Sequence, residues 1–192
     1  MIYQLPDHIL IDGRFFYMRN YRLKHLVFSC LCCICLTVLI VHPERPRVYF
    51  SPGPDCENNI IAAISDATRI DIAVYSISNP NIVNALLDAH KRGAVIRVIT
   101  DRTQSHGKYS AVKNLNAAGV EVRTNNLYKT EHNKFAIFDN KYMLTGSYNW
   151  TTNATRHNSE NCIFMSLPVR QYATRFNALW HQYAPPTKST TL

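Results

Sequence analysis

The chain reads as an α/β protein, a mixed β-sheet flanked by helices on both faces and preceded by an N-terminal hydrophobic leader. Three observations predict this class. Short apolar, β-branched or aromatic runs recur from residue 48 to residue 165. Helical periodicities alternate with the first four of these runs, whereas the second half is strand-rich. Gly93, Gly119, Asn79-Pro80 and Pro168 supply the stops and starts between them. Strand–helix alternation followed by a run of strands implies a mixed sheet covered by helices.

The elements follow in order. Residues 1–45 are expected to be an N-terminal extension carrying a signal peptide or signal anchor. Its centre, residues 26–41, is sixteen residues without a charge. As a helix that run reaches about 24 Å, short of a bilayer core of about 30 Å. The length matches a secretory hydrophobic region, and the stretch from Met18 to His25 has the form of a basic n-region. Translation is therefore expected to start at Met18, with residues 1–17 an upstream extension. The exit, Leu39-Ile40-Val41-His42-Pro43, offers no small-x-small cleavage site, so a cleaved leader and an uncleaved anchor both stay open. The basic flank before the run outweighs Arg45 and Arg47 after it, which directs the rest of the chain across the membrane.

Beyond Pro46, strands are expected at Val48–Phe50, Ile70–Ser76, Val95–Thr100, Val120–Arg123, Lys134–Phe138, Tyr142–Thr145 and Asn161–Met165. Helices are expected over 56–67, where Ile60, Ile61, Ala63 and Ile64 recur at helical spacing, and over 80–92, where Ile82, Leu86, Leu87 and His90 do. A third covers 108–118 and ends at Gly119. A fourth covers 168–182 with Pro168 in the first helical position. These bound a domain over 46–183, with 184–192 a flexible tail.

The net charge is +8. With Arg14, Arg19, Arg22, Lys24, Asp7 and Asp12 ahead of residue 42, the remainder carries 17 Lys and Arg against 11 Asp and Glu. That surplus favours polyanions, nucleic acid or anionic lipid, without choosing between them. Cys30, Cys32, Cys33 and Cys35 sit in the apolar run with no His, Asp or Glu among them, which reads as polarizable filling of a hydrophobic segment rather than a metal site. Cys56 and Cys162 lie in the globular part; two buried thiols are expected there, with a disulfide the alternative.

One constellation carries chemistry: His132-x-Lys134-x4-Asp139-x6-Gly146-Ser147-x-Asn149. Six fixed types at fixed offsets arise by accident in about one chain of this size in 10^5 or fewer. Residues two apart on a strand look the same way, so His132 with Lys134, and Ser147 with Asn149, can aim at one point beyond a sheet edge. Asp139, at an odd offset from His132, is assigned to structure, as is Gly146. Neutral imidazole is a competent nucleophile near pH 7, and attack on phosphorus gives a phosphohistidine. Lys134 and Asn149 offer charge and an amide donor to the non-bridging oxygens, and Ser147 a further donor. Glu160 is the candidate to accept the other imidazole N–H. His8, His25, His42, His90, His106, His157 and His181 have no such company and are background. Tyr148 and Trp150 flank Asn149, and base stacking or packing explains them equally.

On these residues the chain resembles the phospholipase D superfamily, defined by the HKD motif. Its single motif, with Ser159-Glu160-Asn161, Val48-Tyr49-Phe50-Ser51-Pro52 and Ile72-Ala73-Val74-Tyr75-Ser76-Ile77, is most similar to the small bacterial endonucleases of that superfamily over about residues 46–183. The resemblance implies an α/β/α sandwich and phosphodiester hydrolysis through a covalent phosphohistidine, with no metal or other cofactor. It carries His132, Lys134, Ser147, Asn149 and Glu160 onto the active site. Hydrolysis needs one histidine to attack and another to protonate the leaving oxygen, so a single H-x-K implies a homodimer with a composite site. A non-specific endonuclease acting on DNA, with RNA as a further substrate, is the leading expectation; a phospholipase D or cardiolipin hydrolase acting on headgroups is the alternative. Asn149-Trp150-Thr151 fits a glycosylation sequon that would block the site. The expected location is therefore periplasmic or secreted in a bacterium, with membrane attachment through 26–41 if the leader stays.

Overall fold

The computed structural model describes residues 8–12, 14–17 and 45–183. The apolar run 26–41 with its four cysteines, the start at Met18 and the tail 184–192 lie outside the described residues. The chain divides into two compact units, Met1–Pro43 and Glu44–Leu192. In the first, β1 (His8–Ile11) pairs antiparallel with β2 (Arg14–Tyr17). This hairpin was not expected. The signal for it is Asp12-Gly13 between two apolar runs, the sequence of a two-residue turn that needs positive φ, and Asp12 has φ 49°.

The second unit is built on β3 (Arg47–Ser51), β4 (Arg69–Val74), β5 (Val95–Thr100), β6 (Glu121–Thr124), β7 (Lys134–Phe138), β8 (Tyr142–Gly146) and β9 (Glu160–Met165). Their order across the sheet is β3-β9-β8-β7-β4-β5-β6. The strands β4, β5 and β6 are parallel, and β7, β8, β9 and β3 continue from β4 antiparallel to one another. The helices are α1 (Asp55–Asp66), α2 (Pro80–Lys91), α3 (Arg102–Ser105), α4 (Val112–Ala117), α5 (Thr152–Arg156) and α6 (Val169–Gln182). Asn79 caps α2 through Oδ1, which accepts from the N–H groups of Asn81 and Ile82.

The mixed α/β class holds, with helices on both faces. Alternation along β4 sends Ile70, Ile72 and Val74 into one core with Ile60 and Ile64 of α1, Leu86 of α2 and Leu115 of α4. Ala73 turns the other way, into a smaller core with Ile99, Phe135, Ile137, Met143 and Phe176, Leu179 and Trp180 of α6. Buried Asp71 on that face is gripped by Arg97, at 2.7 and 2.8 Å.

Three details differ from the sequence reading. The helix expected over 108–118 is shorter, Val112–Ala117, and the chain before it instead forms the unexpected single turn α3, which Asp101 caps by accepting from Thr103 and Gln104 N–H. The five-residue α5 is too short for periodicity to reveal. Cys56 and Cys162 are not separate thiols: they form a disulfide between the first turn of α1 and β9, with Cα atoms 6.0 Å apart.

Topology fixes what lies where. The three parallel strands end, β7 begins, β8 ends and β9 begins at the same edge of the sheet.

Candidate active site

His132 and Lys134 enter that edge from the loop before β7. His132 is exposed, and its ring lies against Tyr75, just past β4, with centroids 4.8 Å apart. Lys134 is partly buried; its Nζ donates to the His132 carbonyl at 2.8 Å and sits 5.1 Å from the centre of the Tyr75 ring. Burial lowers the Lys134 ammonium pKa below its ordinary value, and the charges of Glu160 and Glu131 oppose that only in part.

The second segment leaves β8 through Gly146, whose φ is +149° and where any Cβ would collide with the Asn161 carbonyl. That contact puts glycine there for two reasons, conformation and close approach. The Ser147 and Tyr148 N–H groups donate to Asn161 O at 3.1 and 3.2 Å, and Ser147 Oγ accepts from Asn161 N at 3.0 Å. Next door, Trp150 N donates to Ser76 O at 3.1 Å, while the N–H groups of Ser78 and Asn79 donate to Trp150 O at 2.9 Å. Asn149 is thus held from both sides by backbone, yet its buried Oδ1 has no hydrogen-bond partner among the described residues. The Nδ2 of that fixed amide is the donor a phosphate oxygen could use, in a groove shared with Tyr75, against which the imidazole and the ammonium lie.

Tyr148 and Trp150 do not stack on bases. They are 2% and 1% exposed and belong to the core. The Tyr148 hydroxyl bonds Thr155 Oγ1 at 2.6 Å, Asn79 Nδ2 donates to Thr155 and to Glu57, and Asn81 Nδ2 donates to Glu57 at 2.6 Å. Burial raises the Tyr148 pKa. For Glu57 burial also works upward, but the amides of Asn81 and Asn79 outweigh it and leave the carboxyl below its ordinary value.

Glu160 is at this edge too, but its Oε1 accepts from Asn158 Nδ2 at 3.0 Å, and it makes no hydrogen bond to His132 among the described residues. The reason is sheet order: β8 separates β9 from β7, a gap of roughly 10 Å between strand axes. Its charge reaches Lys134 instead. Asp139 stands at the other end of β7. Its Oδ1 accepts from Thr68 N, Thr68 Oγ1 and Arg69 N at 3.0, 2.8 and 2.8 Å. Burial would raise this carboxyl; the three donors prevail and hold it below the usual carboxylate range.

Sequence reasoning missed several neighbours. Tyr75 contacts His132 but is 57 positions away from it in the chain, with no motif of its own. A groove of about 680 Å³ runs past Tyr75 and Asn149 to Gln104, Lys108 and Tyr109, and Tyr109 is 77% exposed. A smaller one, of about 270 Å³, lies on the other side of His132 against Tyr128 and Arg175.

Comparison with known proteins adds to this geometry. Residues 60–180 match the family described as cardiolipin synthase, PLD-like domain. The chain is 37% identical over 175 residues to a mitochondrial cardiolipin hydrolase of Xenopus laevis, covering 89% of this chain and 83% of that one. It is 32% identical over 143 residues to a protein of the same name from Chlamydomonas reinhardtii, covering 73% of this chain and 64% of the relative's length. Among solved structures it superposes on Nuc from Salmonella typhimurium, a phospholipase D family member, with TM-score 0.69 and 28% identity, covering 74% of this chain and 97% of that one. The chain belongs to the phospholipase D superfamily of phosphodiester hydrolases, and within it is similar to Nuc.

Proposed function

We propose that the chain is a metal-independent phosphodiesterase that cleaves nucleic acid with little sequence preference, from a site shared by two copies of the chain. One observation carries this: Tyr75, against which the exposed His132 ring and the Lys134 ammonium lie, shares with Asn149 the lining of a groove that also includes Lys108 and Tyr109. Groups that grip phosphate and a solvated aromatic suit the backbone and bases of a nucleic-acid strand.

The chemistry follows from the groups. The His132 imidazole nitrogen attacks phosphorus and forms an N–P bond as the bond to the leaving oxygen breaks. That oxygen takes a proton from the partner's His132. Lys134 and Asn149 steady the negative charge on the non-bridging oxygens. Water then attacks phosphorus, gives its proton to the partner's His132, and the N–P bond breaks to restore the enzyme. The step needs one neutral and one protonated imidazole at once, so the rate profile is bell-shaped in pH.

A second reading, hydrolysis of a phosphatidyl or cardiolipin headgroup, has its own support. Leu127 is 61% and Tyr128 47% exposed on the loop leading to His132. The relatives named cardiolipin hydrolase favour it as well. Plasmid nicking in EDTA, assayed beside headgroup release from cardiolipin vesicles with His132→Ala as control, separates the two. Nicking that the substitution abolishes, without headgroup release, supports the nuclease; the reverse pattern replaces it with the lipid hydrolase.

A further inference from the structure

His132 is exposed and forms no strand, yet the residues on either side of it are anchored by a buried carboxylate. Glu131 is 2% exposed. Its Oε1 accepts from the backbone N–H of Asn133 at 3.3 Å and from the Asn133 amide. Its Oε2 accepts from the Tyr183 hydroxyl, at the end of α6, at 2.7 Å, and Tyr183 is itself 3% exposed. The Glu131 N–H donates to Asp101 Oδ2 at 3.0 Å, and Asp101 is 3% exposed. Asp101 Oδ1 meanwhile caps α3, whose Gln104 donates to the Tyr75 hydroxyl at 2.9 Å. The circuit closes where Tyr75 N donates to the Asn133 carbonyl at 2.9 Å.

We infer that Glu131, fixed by Tyr183 and Asp101, is the positioning residue for His132, holding both the histidine's backbone and the Tyr75 ring it lies against. This rests on the reading of His132 as nucleophile and deepens it. A buried carboxylate with no hydrogen bonds would be a liability; this one has both oxygens engaged, and all of its side-chain bonds serve residue 133 or the end of α6. Burial raises the Tyr183 hydroxyl pKa, and the bond to Glu131 raises it further, so the phenol stays a donor throughout the working range. The last turn of α6, nearly fifty residues downstream, is thereby tied to the loop that presents the nucleophile. A displacement of about 1 Å at a reacting group can cost about 10²-fold in rate, which sets the scale of the effect.

The test uses the full chain and two measurements. Turnover of bis(p-nitrophenyl) phosphate in EDTA is compared for wild type, Glu131→Ala, Glu131→Gln and Tyr183→Phe, with amide hydrogen exchange over residues 131–134 followed in each. Glu131→Ala is expected to lower kcat about 10²-fold and leave KM within about twofold. Tyr183→Phe, which removes one hydrogen bond to a charged group, lowers kcat about tenfold. Glu131→Gln, keeping the acceptor for Asn133, recovers most of the activity. In the two impaired variants exchange rises over 131–134 while β4 and β5 stay protected. Unchanged kcat together with unchanged exchange in Tyr183→Phe overturns the inference, and this mild substitution decides the matter even if Glu131→Ala does not fold. A wild type inactive on phosphodiesters overturns the proposed function instead, and the exchange data then decide whether the anchor exists.

Discussion

The two ends of β7 carry ionisable residues in opposite conditions. At one end Lys134 is partly desolvated, and among the described residues its ammonium bonds a main-chain carbonyl alone, against the Tyr75 ring that also carries the exposed imidazole and shares a groove with Asn149. At the other, roughly 17 Å along the strand, Asp139 has three donors on a single oxygen. Both residues belong to one motif, yet the donors gathered on Asp139 come from the protein's own backbone and Thr68, while Lys134 is left near the groove lined by Tyr75 and Asn149. Unspent capacity next to a groove is what a substrate can use, whereas the three bonds to Asp139 Oδ1 hold β7 to the start of β4. The rule is general: within a sequence motif, residues separate into chemistry and structure according to whether the fold has already satisfied them.

Substitutions can break or sharpen this contrast. The largest effect is expected from His132→Ala, which should lower phosphodiester turnover about 10⁴-fold or more, in the range seen when a covalent nucleophile is removed. Residual cleavage within tenfold of wild type would move the chemistry elsewhere. Lys134→Met should cost about 10²–10³-fold in kcat, the range for a group that stabilises developing oxyanion charge. The same variant should melt no lower than wild type, and higher by a degree or two, because it removes a charge whose burial is unfavourable. Because the folded-state pKa of Lys134 is depressed, the native state binds fewer protons between that value and the unfolded value, so wild-type stability climbs with rising pH in that window. Differential scanning calorimetry from pH 7 to 10.5 should show that climb in wild type and not in Lys134→Met.

At the far end the order of effects reverses. Asp139→Asn should leave kcat within about threefold and lower stability by about 1–2 kcal/mol at neutral pH. The folded-state pKa of Asp139 is depressed, so its contribution is present above the unfolded value and fades as pH falls through the folded one. Urea melts at pH 7 and pH 3 should therefore differ less for the variant than for wild type. Thr68→Val, which deletes one of the three donors, should cost about 0.5–1 kcal/mol and nothing in rate. A large rate loss in either variant would erase the distinction between the two ends.

What could be read in the sequence was local. The strand at Val95–Thr100 was legible because a β-branched run is bounded by Gly93 and by Asp101. The proximity of His132 to Lys134, and of Ser147 to Asn149, was legible because each pair lies within one short segment. The meeting of those segments depends on β8 pairing with β7, which alternation and a short connection at Asp139-Asn140 already favour. What stayed hidden was set by sheet order. The contact of Tyr75 with His132 exists only because β4 lies beside β7, and the same order keeps Glu160 two strands away from the imidazole. The Glu131–Tyr183 bond spans 52 positions and depends on where α6 ends against the sheet. Tyr148 and Trp150 misled because an aromatic beside a polar loop looks the same whether it faces solvent or core; their near-zero exposure comes from α1, α2 and α5 closing over them.

The bond between Cys56 and Cys162 encloses 106 positions, and His132, Lys134, Ser147, Asn149 and Glu160 all fall inside that loop. A protease that nicks a surface turn between the two cysteines, for instance near Lys108 or Lys129, therefore cannot release a fragment. The clipped chain would migrate as one band on a gel run without thiol reductant and as two with it, and its halves would stay tethered across the sheet that brings the reactive groups together.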